Sequence, residues 1–371
     1  MQKVYVVTAS VNELDNLKSF SASLNGRAEV IVIDEGDERL RERNRTALDG
    51  LRTRFFGPRE REEWFKGRFG DQYDVPLSVI PQRCHAETSF GFLVALEELA
   101  DFVVELDDDV FPVEGYGLLE HHIRNLNESR AVFVSSDGRW YNTFENLELS
   151  GAGCKIFPRG HPYSKETRDC RYSWRDLSCE SVLNMGLWLG NPDLDALTII
   201  AQGGLDGRCD IKSLRILRPK VVVAPENFFS VCSMNAAFRS KVIPAFYQLY
   251  MNFMGIDRFD DIWSGIFLKR IADHLGETLS LGLPPVYHSK RPRSSFKDLR
   301  SELEGMALNE TLWKVVGSLE IEGDDYLECY SELTEGLAKR VDAFKEKTHR
   351  DFISLTAEKM RLWTRVVEKV S

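Results

Sequence analysis

The 371-residue sequence contains no apolar run close to the roughly 18 residues that a membrane-spanning helix needs. It also lacks any Cys-x-x-Cys pair, and its seven cysteines are scattered and odd in number. The apolar run at residues 4–7 follows Met1 almost directly, which indicates a first strand and no signal peptide. These absences predict a cytoplasmic protein with reduced thiols and no membrane span.

The sequence has fewer basic than acidic residues. The chain has 48 Lys and Arg against 58 Asp and Glu, so its net charge is −10. It has no basic stripe interleaved with aromatic residues, and we therefore expect no nucleic-acid partner. A small anionic substrate is compatible with this balance, because a few local cations are enough to bind it. With 43% hydrophobic residues the chain can bury a sizeable core.

Short apolar runs alternate with polar or helical stretches over the first third of the chain. The runs predicted as strands lie at residues 4–9, 30–33, 77–80 and 102–106, with an amphipathic stretch at 89–99. This alternation is typical of βαβ units and predicts an α/β fold with a mainly parallel sheet. Ligands of such sheets bind at the carboxyl ends of the strands, where Asp34 and the triplet 107–109 fall.

The rest of the chain is predicted to consist of a less regular middle and a helical end. Residues 150–182 are rich in Gly, Pro, Arg and aromatics and are typical of a long functional loop. Further strands are expected at 131–135 and 217–224, and helices at 241–250 and 261–275. Apolar residues then recur at helical spacing. We therefore expect a sheet domain, 1–299, and a helical extension, 300–371, that packs on it or on a second subunit.

Three consecutive carboxylates, Asp107, Asp108 and Asp109, follow the strand 102–106. Mg²⁺ and Mn²⁺ prefer such hard oxygen ligands and bind through few carboxylates plus substrate phosphates. The alternative is a solvated acidic turn, but the apolar strand that leads into the triplet favours a metal site. Asp-x-Asp after a hydrophobic strand is also typical of nucleotide-sugar enzymes with the Rossmann-like GT-A fold.

A second carboxylate pair, Asp260 and Asp261, precedes a predicted helix. One of the two can cap that helix while the other projects into the cleft as a base or a sugar ligand. Further along, His288 can complete the metal shell, and Lys290 or Arg291 can neutralise phosphate. The alternatives are that the histidine binds nothing and that the cationic run is only solvated.

Arg159 lies between two prolines, at 158 and 162, on a stiff part of the middle segment. Either it faces the site, or its guanidinium only ties down the loop through hydrogen bonds.

Several of these strings together resemble one family, the reversibly glycosylated polypeptides, which include the UDP-arabinopyranose mutases. The strings that carry the resemblance occur in the family's order, at residues 33–37, 107–109, 159–164, 186–189 followed by 192–196, 234–238, 258–265 and 287–290. The resemblance covers roughly residues 1–300, whereas the segment 39–70 and the tail after 300 look divergent.

The resemblance implies a GT-A fold, dependence on a divalent metal (Mn²⁺ or Mg²⁺) and a UDP-sugar substrate. It also implies that the sugar is reversibly attached to an arginine, which maps onto Arg159. For the mutases it implies interconversion of the pyranose and furanose rings of UDP-L-arabinose, whereas other members are described as self-glucosylating.

These expectations combine into one hypothesis for the site. The metal ligands are Asp107, Asp109 and His288. The nucleotide is contacted by Asp34, Asp108 and Lys290. The carboxylate that assists Arg159 is Asp260 or Asp261.

Two alternatives stay open. A conventional GT-A or self-glucosylating transferase would deliver the sugar to a separate or protein acceptor, with Arg159 only binding phosphate. A non-catalytic scaffold would use its C-terminal helices to recruit a partner enzyme. In the mutase hypothesis we expect those helices to build a homo-oligomer.

Overall fold

The computed structural model describes residues 2–371. The strands of this range are, in chain order, β1 Val4–Ser10, β2 Glu29–Asp34, β3 Thr53–Phe56, β4 Phe102–Leu106, β5 Val110–Pro112, β6 Ser129–Ser136, β7 Leu147–Ser150, β8 Tyr172–Cys179, β9 Leu183–Gly190, β10 Lys212–Ile216, β11 Lys220–Val223, β12 Asn235–Arg239 and β13 Leu279–His288. The helices are α1 Asp15–Ser19, α2 Ser21–Leu24, α3 Glu38–Ala47, α4 Pro58–Phe69, α5 Asp74–Leu77, α6 Thr88–Glu97, α7 Leu118–Leu126, α8 Lys165–Arg168, α9 Ala196–Ala201, α10 Asp260–His274, α11 Ser295–Gly317, α12 Tyr326–Lys339 and α13 Lys347–Val370.

One mixed sheet joins the strands in the order β3-β2-β1-β4-β12-β9-β13-β11-β6-β8. Strands β1 to β4 run parallel to one another, and β12 runs antiparallel between β4 and β9. Strand β13 is parallel to β9. The carboxyl ends of β2, β4, β9 and β13 and the amino end of β12 therefore meet at one edge of the sheet. This edge carries the site.

The first strands are buried on both faces, as expected for parallel strands covered by helices. Every residue of β2 is buried, and helix α6 packs directly on β1. Gly91 of α6 makes this approach possible, because a Cβ at that position would lie 2.4 Å from Cγ1 of Val7. The close packing fixes α6 and the segment just before it at the sheet edge.

The C-terminal helices pack on the same hydrophobic core as the sheet. On α13, Trp363 donates from Nε1 to the Pro244 carbonyl at 2.9 Å and stacks on Tyr247 with ring centroids 5.0 Å apart. These helices therefore pack on the chain's own sheet domain, which is one of the two packing partners predicted for them. Helix α11 begins at Ser295 and so runs across the predicted boundary at 299/300. The homo-oligomer stays a prediction.

The predicted α/β class and the helical C-terminal part are confirmed. The predictions for 131–135, 217–224 and 261–275 correspond to β6, β11 and α10. None of the helices within residues 2–371 is long and apolar enough to cross a membrane.

Three local predictions are wrong. Residues 77–80 end helix α5 and continue as a turn, because a short apolar run flanked by Pro76 and Pro81 does not specify a strand. The expected helix 241–250 is a 3₁₀ turn over Ser240–Ala245 followed by irregular chain, since Pro244 cannot donate a helical hydrogen bond. The expected loop 150–182 includes the edge strand β8, which pairs with β6.

Candidate functional site

Two adjoining cavities open at the sheet edge. The arginine cavity, about 340 Å³, contains Arg159 and is bordered by the ends of β4, β12 and β13 and by the first turn of α10. The strand-end cavity, about 710 Å³, lies over the ends of β1 and β2. The residues that line both are Arg83, Cys84, His85 and Asp107. A ligand with two chemically different halves could therefore occupy both cavities at once.

Arg159 is held on three sides, although its side chain lines the arginine cavity. Its Nε donates to the Asp193 carboxylate at 3.1 Å, its Nη1 to the carbonyl of Arg258, and its Nη2 to Asp261 Oδ2 at 3.4 Å. Burial opposes its charge, but the charges of Asp193 and Asp261 outweigh burial and raise the pKa of Arg159 further above its ordinary value. The guanidinium therefore both ties down its loop and faces the cavity.

Asp193, the main partner of Arg159, is not among the residues that the sequence predicts for the site. Burial would raise its pKa, yet the charge and hydrogen bond of Arg159 outweigh burial and lower the pKa to about 2. Asp193 lies three residues after the end of β9, and Asp34 is the last residue of β2, so a position at or just after a strand end was an available signal.

Asp260 and Asp261 both line the arginine cavity. Neither is the N-cap of α10, which is Phe259; both stand in the first turn. Burial and the neighbouring Asp260 together outweigh Arg159 and raise the pKa of Asp261. For Asp260 burial is outweighed by the charge of His85, which lowers its pKa. Two adjacent carboxylates thus have opposite tendencies to hold a proton.

His85 is a further residue that the sequence analysis did not select. Its Nδ1 lies 2.8 Å from Asp260 Oδ2, and its Nε2 lies 3.4 Å from Glu105 Oε1. Burial opposes a charge on the ring, but the nearby carboxylates outweigh it and raise the pKa of His85 well above the ordinary value. The buried Glu105 in β4 was the available signal, because a carboxylate inside a strand requires a cationic partner.

The aspartate triplet borders both cavities, and Asp107 lines the two of them. Asp107 and Asp109 line the arginine cavity, and burial together with the charge of Asp109 raises the pKa of Asp107 to about 7. Asp108 lines the strand-end cavity, where it accepts hydrogen bonds from Ser10 Oγ at 2.5 Å and Asn12 Nδ2 at 2.9 Å. Its Oδ1 also pairs with Arg291 Nη1 at 2.5 Å. Arg291 is therefore already engaged by the protein.

Pairing of β5 with β13 places Asp109 beside His288. His288 Nδ1 lies 2.7 Å from the Asn191 carbonyl, which leaves Nε2 facing Asp109 Oδ2 at 3.6 Å. An imidazole whose other nitrogen bonds a carbonyl is a common metal-ligand arrangement. No group of three or more His, Cys, Asp or Glu in residues 2–371 is already arranged to hold a metal. Asp109 and His288 face each other, and Asp107 lines the same cavity, so all three are donors of the kinds that a divalent ion takes, although they do not form a ready three-residue site.

The two other residues expected at the nucleotide differ in position. Lys290 is buried in the wall of the arginine cavity, and burial lowers its pKa to about 8 despite the opposing charge of Asp193. Asp34 lines neither cavity: its carboxylate accepts hydrogen bonds from Gly36 N at 2.8 Å and Asn44 Nδ2 at 3.1 Å. Its neighbour Glu35 lines the strand-end cavity instead.

Comparisons with known proteins bear on this site. A family model described as "Reversibly glycosylated polypeptide" matches residues 74–371, so the match includes the C-terminal helices that look divergent by motif. UDP-arabinopyranose mutase 1 of Arabidopsis thaliana is 29% identical over 258 residues, 66% of this chain and 63% of that protein. Probable UDP-arabinopyranose mutase 4 of the same species is 27% identical over 297 residues, 76% of this chain and 71% of that protein. The chain thus spans about 63% of the length of the first of these relatives.

Among solved structures, a chain of mouse xyloside xylosyltransferase 1 is 12% identical, with a TM-score of 0.21. The similarity covers 36% of this chain and 52% of that one, and it is too weak to establish a common fold.

Proposed function

The chain belongs to the reversibly glycosylated polypeptide family, and from this premise we propose that it is a metal-dependent UDP-sugar mutase that works through reversible glycosylation of Arg159. The observation that carries the proposal is the position of Arg159 in the wall of the arginine cavity, with its guanidinium hydrogen-bonded to Asp261. The GT-A arrangement of the sheet is part of the same proposal. It is supported by the order β3-β2-β1-β4, after which the aspartate triplet follows.

The substrate is placed across both cavities. The nucleoside occupies the strand-end cavity, and the sugar lies against Arg159. The diphosphate then lies beside the residues that line both cavities, among which Arg83 and His85 are cations. Asp107, Asp109 and His288 would hold a divalent ion, whose positive charge would stabilise the diphosphate as it leaves. Lys290 adds a further cation on the arginine side.

The glycosylation step needs a proton acceptor, because a guanidinium with a pKa above about 12 is a poor nucleophile. The bond between the anomeric carbon and the diphosphate oxygen breaks, and a bond from that carbon to a terminal nitrogen of Arg159 forms. The displaced proton passes to Asp261, whose Oδ2 lies 3.4 Å from Nη2. Asp193 holds Nε and so keeps the terminal nitrogens turned toward the cavity.

The attached sugar can open its ring and reclose it through a different hydroxyl, after which the retained UDP recaptures it from Arg159. We propose UDP-L-arabinose as the substrate, on the names of the relatives. We also propose a cytoplasmic location, because all seven cysteines are free thiols.

Intact-protein mass spectrometry tests the proposal. The chain is incubated with Mn²⁺ and each of a panel of UDP-pentoses and UDP-hexoses, without an acceptor. We expect one sugar adduct in the wild type, none in Arg159→Ala, and an unchanged adduct in Arg171→Ala, whose side chain is 92% exposed. An undiminished adduct in Arg159→Ala would refute the role of this arginine.

The products distinguish the mutase from the transferase alternative. A mutase yields an isomeric UDP-sugar in the absence of acceptor, with a furanose ring in place of the pyranose. A transferase yields free sugar or no product, and that result would contradict the mutase proposal.

A further inference from the structure

One face of the C-terminal helix α11 lies against the segments that hold Arg159. The contacting residues are spaced three and four apart, at Glu302, Gly305 and Asn309. This spacing places them on a single side of the helix. We call them the α11 platform.

Two members of the α11 platform lie against α10 and against the segment that contains Arg159. Asn309 donates to the Gly160 carbonyl at 2.8 Å, directly after Arg159, and accepts from Trp263 Nε1 at 2.9 Å. At Gly305 a Cβ would lie 2.5 Å from Cδ2 of Phe259, so only glycine lets α11 approach the start of α10 this closely.

Glu302 is the member with the strongest connections. It is fully buried on α11, and its Oε1 accepts from Arg258 Nε at 2.6 Å. Its Oε2 accepts from the backbone N–H of Ala196 at 2.7 Å. One carboxylate thus joins the segment 257–258 to the first residue of α9.

Both joined segments hold Arg159. Arg258 has a positive φ of 65°, and its carbonyl accepts a hydrogen bond from Arg159 Nη1. Three residues before Ala196, Asp193 accepts from Arg159 Nε. The backbone of Asp257 adds a second connection to α11, donating to the Ser301 carbonyl at 3.1 Å.

We propose that Glu302 is a positioning residue, which sets the orientation of the Arg159 guanidinium by fixing both of its supports. Glu302 lines neither the arginine cavity nor the strand-end cavity; it acts through Arg258 and the 193–196 segment. This inference rests on the proposed function, and it assigns the C-terminal part of the chain a role in the reaction.

Orientation matters here because attack on the anomeric carbon needs one guanidinium nitrogen in line with the leaving oxygen. A displacement of about 1 Å caused by a change away from the reacting atoms can slow a reaction by about 100-fold. Replacing Glu302 by Gln preserves its shape, but an amide has one accepting oxygen in place of two, so either Arg258 Nε or the Ala196 N–H loses its acceptor.

The experiment compares Glu302→Gln with Glu304→Gln, the same substitution two residues along α11. Glu304 is 47% exposed and pairs only with His349, which makes it a matched control. For each full-length protein we measure the first-order rate of Arg159 adduct formation at saturating UDP-sugar, the half-saturating UDP-sugar concentration, the Kd of UDP with Mn²⁺, and thermal unfolding.

We expect Glu302→Gln to form the adduct about 100-fold more slowly, with half-saturation and UDP affinity unchanged. Glu304→Gln should behave as the wild type. An equal rate in Glu302→Gln and wild type overturns the positioning role while leaving Arg159 as the acceptor. No adduct in the wild type itself overturns the proposed function.

A second variant decides the question if Glu302→Gln does not fold. Glu302→Asp keeps the buried negative charge that pairs with Arg258, but its side chain is one methylene shorter. Its carboxylate therefore cannot reach both Arg258 Nε and the Ala196 N–H, which Glu302 joins at 2.6 and 2.7 Å. We expect slowed adduct formation with unchanged UDP affinity, and a wild-type rate in this variant would overturn the positioning role.

Discussion

Asp193 contacts Arg159 through both its main chain and its side chain. The Asp193 carbonyl accepts a hydrogen bond from Arg159 N at 2.9 Å, and its carboxylate accepts from Nε at 3.1 Å. The two contacts fix both ends of the arginine side chain relative to the end of β9. In the proposed reaction this pair determines which guanidinium nitrogens face the sugar.

We expect Asp193→Asn to slow Arg159 adduct formation by at least about tenfold, because the variant releases Nε from its charged partner. We also expect a loss of about 3 kcal/mol in the free energy of unfolding, since a buried guanidinium loses the nearer of its two carboxylate partners and keeps only Asp261. Mass spectrometry and urea denaturation measure the two effects. Asp206→Asn, in an exposed pair with Arg208, is the control and should change neither. Wild-type values in Asp193→Asn would contradict the arrangement.

The two carboxylates of α10 should have separable roles. Asp261→Asn removes the proposed proton acceptor, and we expect adduct formation about 100-fold slower. In the wild type the rate should rise with pH as Asp261 loses its proton. Because burial and Asp260 raise the pKa of Asp261, this rise should occur at a higher pH than for an ordinary aspartate.

The control for this prediction is Asp260→Asn, whose partner is His85. This variant should keep a pH-dependent rise, whereas Asp261→Asn should lose it. A pH-dependent rise that persists in Asp261→Asn would show that another group accepts the proton.

Metal binding should depend on nucleotide, because the part of the chain that the structure describes has no three-residue group arranged to hold an ion. We expect weak Mn²⁺ binding to the protein alone and much tighter binding once UDP supplies phosphate ligands. Calorimetry of Mn²⁺ with and without UDP measures the difference. The double variant Asp107→Ala, Asp109→Ala should abolish the tight binding, and Glu114→Ala should retain it. Equal Mn²⁺ affinity in all three proteins would indicate a solvated acidic turn.

His122 should make the protein less stable in mild acid. Its ring is fully buried, with Nε2 donating to Asn235 Oδ1 and Nδ1 accepting from Asn184 Nδ2, each at 2.9 Å. Burial lowers its pKa from 6.5 to about 4. Between these values the unfolded state binds a proton that the folded state excludes, so stability falls as pH falls.

We expect the contribution of His122 to the free energy of unfolding to decrease by about 3 kcal/mol from pH 7 to pH 4. Urea denaturation across this range measures it. His122→Gln should be less stable at pH 7 but lose less stability in acid, whereas His121→Gln should follow the wild type. Identical pH dependence in wild type and His122→Gln would contradict the prediction.

Much of the site follows from the sequence because strand ends can be located without knowing the full sheet. Asp107, Asp109, His288 and Lys290 each follow or end an apolar run, and the sheet brings them to one edge. The motif with Arg159 could be recognised by its flanking prolines, although its loop is not attached to a predicted strand.

The residues that the sequence does not predict are partners in buried pairs. His85, Asp193 and Glu302 lie on segments far from the groups they contact, and local patterns carry no information about such distant pairing. The insertion of β12 antiparallel between β4 and β9 is likewise not predicted by any periodicity in the sequence. Asp34, by contrast, was predicted for the site and does end a strand. Its carboxylate accepts hydrogen bonds from Gly36 and Asn44 and lines neither cavity.

The position of the α11 platform along the chain has a consequence for biosynthesis. A polypeptide emerges from the ribosome with its amino-terminal part first. Arg159 and the strands around it are therefore made well before Glu302 and Asn309, which hold its surroundings in place. Until these residues are made, the proposed acceptor lies in a loop that lacks these supports. In the proposed reaction, adduct formation should therefore reach its full rate only after translation has passed them.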